Sequence, residues 1–377
     1  MTAVGLIFSN IHDRNITEMT RKRTMASVPF GCRYRLIDFA LSNMVNSGID
    51  KVGIVTHYNY QSLLDHIGNG KDWDLARRSG GIKILPPFIT AYDSNIANKL
   101  YSTRLEAMIG VNNFINRCTE DYVVLSDCDI ICNINLSKVI KEHEESGAEL
   151  TMVTKKMFIT GEDAGKYTII EPDEEGYAKS IYDSTSNTTG IKTIAANIFV
   201  IKRTNLQSII LESLAHGYKS FTLDVLSVMA KKKLVKCYNF DGFYACINSL
   251  AGYFSTSMQL LSPEVRAGLF GIKHRPVMTK VRNSAPAKYT EDAVVSNSLV
   301  ADGCVIEGEV HDSILFRGVK VGKGTVVKNC ILLQDTYIGE NCNLGCVITD
   351  KNVVIKDGRN LSGHETMPFF IEKGARV

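Results

Sequence analysis

The chain has 377 residues, 45% of them hydrophobic and 22% charged, with a formal net charge of +3. That composition describes an ordinary soluble globular protein long enough for two domains, and it excludes disordered and fibrous classes. The charge is too small to argue for nucleic acid, and no apolar run approaches the roughly 20 residues needed to span a bilayer.

The opening residues, MTAVGLIFSN, lack the charged lead and cleavage site of a secretory leader. Ten cysteines without a CxxC pair read as reduced, mostly buried thiols. The spacings Cys128/Cys132 and Cys342/Cys346 are weak as zinc signals. A cytoplasmic protein with no membrane partner is expected.

In chain order, VGLIF predicts a buried first strand, but Ser9 to Thr17 contains no glycine where a phosphate-binding turn would need one. LIDFALSNMVNSG places apolar residues at Leu36, Ile37, Ala40, Leu41, Met44 and Val45, a helical stripe closed by Gly48. KVGIVT at 51–56, YVVLSD at 122–127 and ELTMVT at 149–154 read as further strands. Alternating strands and helices predict an α/β fold, a mostly parallel doubly wound sheet over residues 1–250. Ligands on such a sheet lie beyond the carboxyl ends of the strands.

Residues 251–290 hold a helix-like GYFSTSMQLL and then a basic, proline-containing linker. From 291 to 377 an aliphatic residue recurs about every sixth position, as at Val321 and Val327, then Leu332, Ile338 and Leu344. That period predicts a left-handed parallel β-helix of hexapeptide repeats, whose open ends and apolar flanks favour packing against another surface.

The phrase VPFGCRYRLIDFALSNMVNSGI, 28 to 49, in this layout resembles the glucose-1-phosphate adenylyltransferase (ADP-glucose pyrophosphorylase) family of bacterial glycogen synthesis. The likeness covers essentially the whole chain. It implies a nucleotidyltransferase-like domain, formation of ADP-glucose and pyrophosphate from ATP and glucose 1-phosphate, tetramers, and control by small metabolites. That chemistry brings several negative charges together, so it calls for a glycine-rich cradle, cationic side chains and carboxylates holding Mg²⁺.

Set against the family motifs, this chain departs at several points. Asn10, Ile11 and Asp13 stand where the loop has glycines, and the loop arginine falls at Asn15. Arg23 is kept, while the neighbouring lysine and proline are Met25 and Ala26. Asp129 matches the first metal-binding aspartate, with Asp127 read as a strand-end or turn residue. Cys246, a poor Mg²⁺ ligand, stands at the second. The Gly-Thr-Ala-Asp-Ala segment reads TRLEA at 103–107. The Glu-Lys-Pro grip on the sugar phosphate falls at Asp183, Ser184 and Thr185, and of the Asp-Phe-Gly-Lys-Asp segment only Phe221 and Asp224 match.

These departures resemble the GlgD-type regulatory subunit, which implies a chain inactive or weakly active alone. It would form a heterotetramer with a catalytic subunit, need no cofactor of its own, and leave Mg²⁺ to that partner. An active adenylyltransferase with a divergent loop is the alternative. Lys22, Arg23 and Arg35 match positions that bind phosphorylated effectors or nucleotide in the family, so they are candidates for an anion site. His12 reads as a surface loop residue that nothing positions, and Trp73 as part of a substrate-side loop or its packing. An acyltransferase, the other chemistry common on hexapeptide β-helices, would need His311 or His364.

Overall fold

The computed structural model describes residues 2–87 and 101–377. Four parallel strands form one half of a nine-stranded sheet, in the order Gly81–Leu85, Lys51–Val55, Ala3–Phe8, Tyr122–Asp127. The long strand Gly190–Lys202 then pairs antiparallel with Tyr122–Asp127. It is flanked by Leu150–Ile159 on one side and by the hairpin Thr168–Pro172/Ala178–Asp183 on the other. Val235–Asn239 joins Leu150–Ile159 in parallel. The expected parallel sheet is present, with an antiparallel extension beyond Tyr122–Asp127.

The predicted helix spans Leu36–Asn46, and Gly48 follows it with φ +78°, the left-handed turn for which glycine is suited. Asp38, in the first turn of that helix, accepts from the Arg35 N–H at 3.0 Å and contacts His66 Nε2 at 2.6 Å. A carboxylate there is favoured by the helix dipole. Trp73 is fully buried and meets the His66 ring edge-on at 5.5 Å. Its role is therefore packing.

The C-terminal region winds into three five-stranded parallel sheets, the faces of a β-helix. Val310, Val327 and Leu344 stack in register. Their step is 17 residues, one short of three full hexapeptides, so one side of these two coils is a residue shorter, while the step before them, from Val295 to Val310, is 15. The last coil is longer, pairing Val347 with Phe369.

Helices Leu250–Gln259 and Pro263–Phe270 precede the coils. Tyr253, Phe254, Leu260 and Leu269 are buried in the same hydrophobic cluster as Ile37, Phe39, Ile314, Ile331 and Ile348. One continuous core thus joins the sheet domain to a face of the β-helix, and the two regions are held by apolar burial. Among the described residues, no helix is long and apolar enough to cross a membrane.

Candidate functional site

The order of the parallel strands reverses at Ala3–Phe8, and Phe8 lies in register with Asp127. The loop after Phe8 and the acidic run after Leu125 therefore meet at the carboxyl edge, where a doubly wound sheet opens a crevice. Asn10 organises this loop. Its Oδ1 accepts from Ser9 Oγ at 2.7 Å, Thr56 Oγ1 at 2.8 Å and the His57 N–H at 3.1 Å. Its Nδ2 donates to Asp13 Oδ2 at 2.6 Å and to the Tyr58 carbonyl at 3.2 Å. Asp13 also accepts from the Met25 N–H at 2.7 Å, and burial raises its pKa to about 6. Asp13–Ile16 is a short 3₁₀ turn. The turn is thus held by side chains, with no glycine to let a phosphate come close to its backbone N–H groups.

Asp127 ends its strand fully buried, yet it is more than a turn residue. Arg104 Nε and Nη2 bond its two oxygens at 3.2 and 2.5 Å, and His12 Nε2 lies 2.9 Å from Oδ2. His12 thus corrects the sequence reading of an unpositioned surface residue. Its ring bridges toward Asp129 Oδ2, 4.0 Å away. Burial alone would lower the His12 pKa, but the charges of Asp129 and Asp127 outweigh it and raise it to about 9. The ring is therefore an imidazolium near neutral pH, donating to Asp127. Burial works against the Asp127 carboxylate, but Arg104 and His12 hold its pKa below the ordinary range. Arg104 itself lies over the Phe199 ring at 5.0 Å, which fixes the guanidinium from behind.

Asp129 is 1% exposed, its Oδ1 has no hydrogen-bond partner, and Cys246 Sγ lies 3.6 Å from its Oδ2. Burial pushes the Asp129 pKa up and the Cys246 thiol well above its usual value. Cys246 is brought there by the short strand Tyr244–Cys246, which pairs with Ile130–Cys132. A Mg²⁺ ion needs near-octahedral hard oxygen ligands at roughly 2.0–2.1 Å. Here one carboxylate is engaged by Arg104 and His12, the other faces a thiol, and the imidazole stands beside both. These residues do not fit Mg²⁺.

A cavity of about 400 Å³ opens above the cluster. His12, Asn15, Arg104, Lys166, Asn197 and Cys246 are among its lining residues. Asn197 sits at a bulge in Gly190–Lys202 with φ +55°, an uncommon conformation that places it on the cavity wall. Sequence reasoning passed over Arg104 and Asn197. The cue for Arg104 was a cation inside TRLEA, and Asn197 gave no cue. Ser184 lies elsewhere, buried in a turn where its Oγ donates to the Asp163 carbonyl at 2.5 Å. Asp224 accepts from the N–H groups of Lys219 and Ser220, a helix-start role.

The three basic candidates do not form one pocket. Lys22 is exposed and lines a small cleft with Asp350 and Glu372. Arg23 is buried and forks onto Asp350 of the β-helix at 2.7 and 2.8 Å. Arg35 is buried, donating to the Ser62 carbonyl and hydroxyl. It opens onto a cleft of about 40 Å³ at the domain junction, lined also by Arg33, Lys280, Arg282, Arg317 and Lys351. No carboxylate lines that cleft among the described residues. Burial lowers the Lys351 pKa to about 7, and Arg35, Arg23 and Arg282 push it the same way.

Residues 15–261 match the nucleotidyl transferase family model, and 285–366 match the GlmU-like C-terminal hexapeptide model. The glycogen biosynthesis protein GlgD of Bacillus subtilis (strain 168) is 35% identical over 98% of this chain and 96% of its own length. Glucose-1-phosphate adenylyltransferases of Fervidobacterium nodosum and Bacillus thuringiensis are 28% and 30% identical, over 96% and 94% of this chain and 86% and 93% of theirs. With the strand-end site and the β-helix in place, these likenesses show that the chain belongs to the glucose-1-phosphate adenylyltransferase family of nucleotidyl transferases, on its GlgD side.

Proposed function

We propose that this chain is a regulatory subunit of a glucose-1-phosphate adenylyltransferase, supporting ADP-glucose synthesis for glycogen without transferring the nucleotide itself. The observation that carries the reading is the Asn10–Asp13 network, which packs side chains where a triphosphate cradle would lie. Cys246 beside Asp129 and Ser184 in a structural turn support it, because metal and sugar-phosphate contacts change together with the loop. The likeness to a glycogen biosynthesis protein supports the pathway. A catalytic subunit is the partner in this proposal, within a heterotetramer, and Mg²⁺ belongs to that subunit.

The junction cleft is the proposed effector site. Arg35 and Lys351 stand among further cations with no lining carboxylate, an arrangement that favours a phosphorylated metabolite. Arg23 tunes this site through Asp350, since it is spent on that ion pair.

The test is ADP-glucose formation by the purified chain, alone and with a catalytic subunit, with the mixture sized by light scattering. The expected result is no turnover alone and altered partner kinetics in a larger complex. Robust turnover by the chain alone would establish the divergent-loop enzyme instead.

A further inference from the structure

Three side chains far apart in sequence, His12, Arg104 and Cys246, converge on the single pair Asp127–Asp129. Simple loss of a site leaves carboxylates facing solvent or one another. Here each carboxylate has acquired a specific neighbour. Arg104 grips Asp127 through two nitrogens, His12 Nε2 lies 2.9 Å from the same carboxylate, and Cys246 meets Asp129. The oxygens of Asp127 and Asp129 and His12 Nε2 lie within 4.8 Å of one another. Space of that size between two buried carboxylates is where a divalent cation would be held.

We propose that the His12 imidazole, seconded by Arg104, is a tethered replacement for the divalent cation at Asp127–Asp129, so that this cavity works without metal. The ring fills the gap and supplies an N–H where an ion would supply charge. Two buried carboxylates 2 residues apart at a strand end would repel each other and stay costly without such partners. The side chain is anchored by the chain, so it stays beside the two carboxylates whatever the metal in solution. Cys246 completes the change, because a hard cation gains nothing from a protonated thiol.

The inference does not depend on the regulatory reading, since metal exclusion is measured on this chain alone and regulation on the partner's kinetics. Mn²⁺ binding would be followed by calorimetry and by the paramagnetic signal of the free ion. The proteins are the full chain, His12→Gln, His12→Ala, Cys246→Asp and the His12→Ala/Cys246→Asp pair.

The wild type, His12→Gln and Cys246→Asp are expected to take up no Mn²⁺ at millimolar concentration. His12→Ala should gain weak binding, and the double variant should bind at least about tenfold more tightly than His12→Ala, having a third carboxylate beside Asp127 and Asp129. Binding by wild type that His12→Ala abolishes would overturn the proposal, because His12 would then be a ligand. Equal binding by Cys246→Asp and the double variant would overturn it too, as would no binding by the double variant. If the variants do not fold, wild type labelled at histidine gives the answer. The His12 ring resonances should stay sharp when Mn²⁺ is added, and selective broadening would sink the idea.

Discussion

At the strand ends, Arg104 and His12 each face a carboxylate; at the domain junction, Arg35, Arg282 and Lys351 face one another. Asp127, Arg104 and Arg35 are buried while Arg282 is exposed, and the same Coulomb rule applies to both clusters with opposite results. The first is balanced from within and raises the histidine pKa. In the second, burial and the neighbouring arginines lower the lysine pKa against the pull of Asp350. A buried site with its charges paired asks nothing of a ligand, whereas one with surplus charge is stabilised by an anion. The contrast separates a site whose carboxylate is paired with two cations from a cleft lined by cations with no carboxylate among the described residues.

The largest expected effect comes from the ion pair that borders the second cluster. Arg23→Ala should cost about 3–5 kcal/mol in urea unfolding, since it strands the Asp350 carboxylate in the core. Replacing both partners with apolar residues should cost less than either single change. If Arg23→Ala costs nothing, the junction is not held as described.

In the first cluster, Asn10→Ala should cost roughly 2–3 kcal/mol, because several buried donors and the Asp13 carboxylate lose their partner together. A smaller loss of under about 0.5 kcal/mol would mean that the loop is not fixed by this network.

The two clusters should also respond to pH with opposite sign. His12 is raised in the folded chain, so its contribution is complete below its unfolded pKa near 6.5 and is lost as pH rises toward about 9. His12→Gln should remove a decline of roughly 1–3 kcal/mol across that window. Lys351 is lowered to about 7, so its burial cost is greatest below that pH and is relieved as pH rises toward 10.5. Lys351→Met should remove a slope of the contrary direction. Two slopes of one sign, read from denaturant midpoints against pH, would collapse the contrast.

The smallest effect concerns anion affinity. Sulfate, which does not titrate near neutrality, should bind the junction several-fold more weakly at about pH 8 than at about pH 6, as Lys351 loses its proton. Lys351→Met should bind weakly at both values. A pH-independent affinity in wild type would assign the ligand's contacts to the arginines alone.

Much of this arrangement was legible in the sequence. The first strand, the helix from Leu36 and the β-helix stacking follow from apolar periodicity, which the core enforces. The lack of glycine in the turn after the first strand was visible. The side-chain contacts made there were not visible, because pairings such as His12 with Asp127 join residues more than a hundred positions apart, and only the sheet register brings them together. The 17-residue coil shows the same limit. A six-residue period is plain in the residues, but the shortened side emerges only when one coil stacks on the next.

One contact has a mechanical side. Met25, two residues past the arginine that grips Asp350, donates its N–H to Asp13, which in turn accepts from Asn10. Residues 10–25 therefore form a stiff connecting rod, one end bolted to the β-helix and the other to the crevice floor.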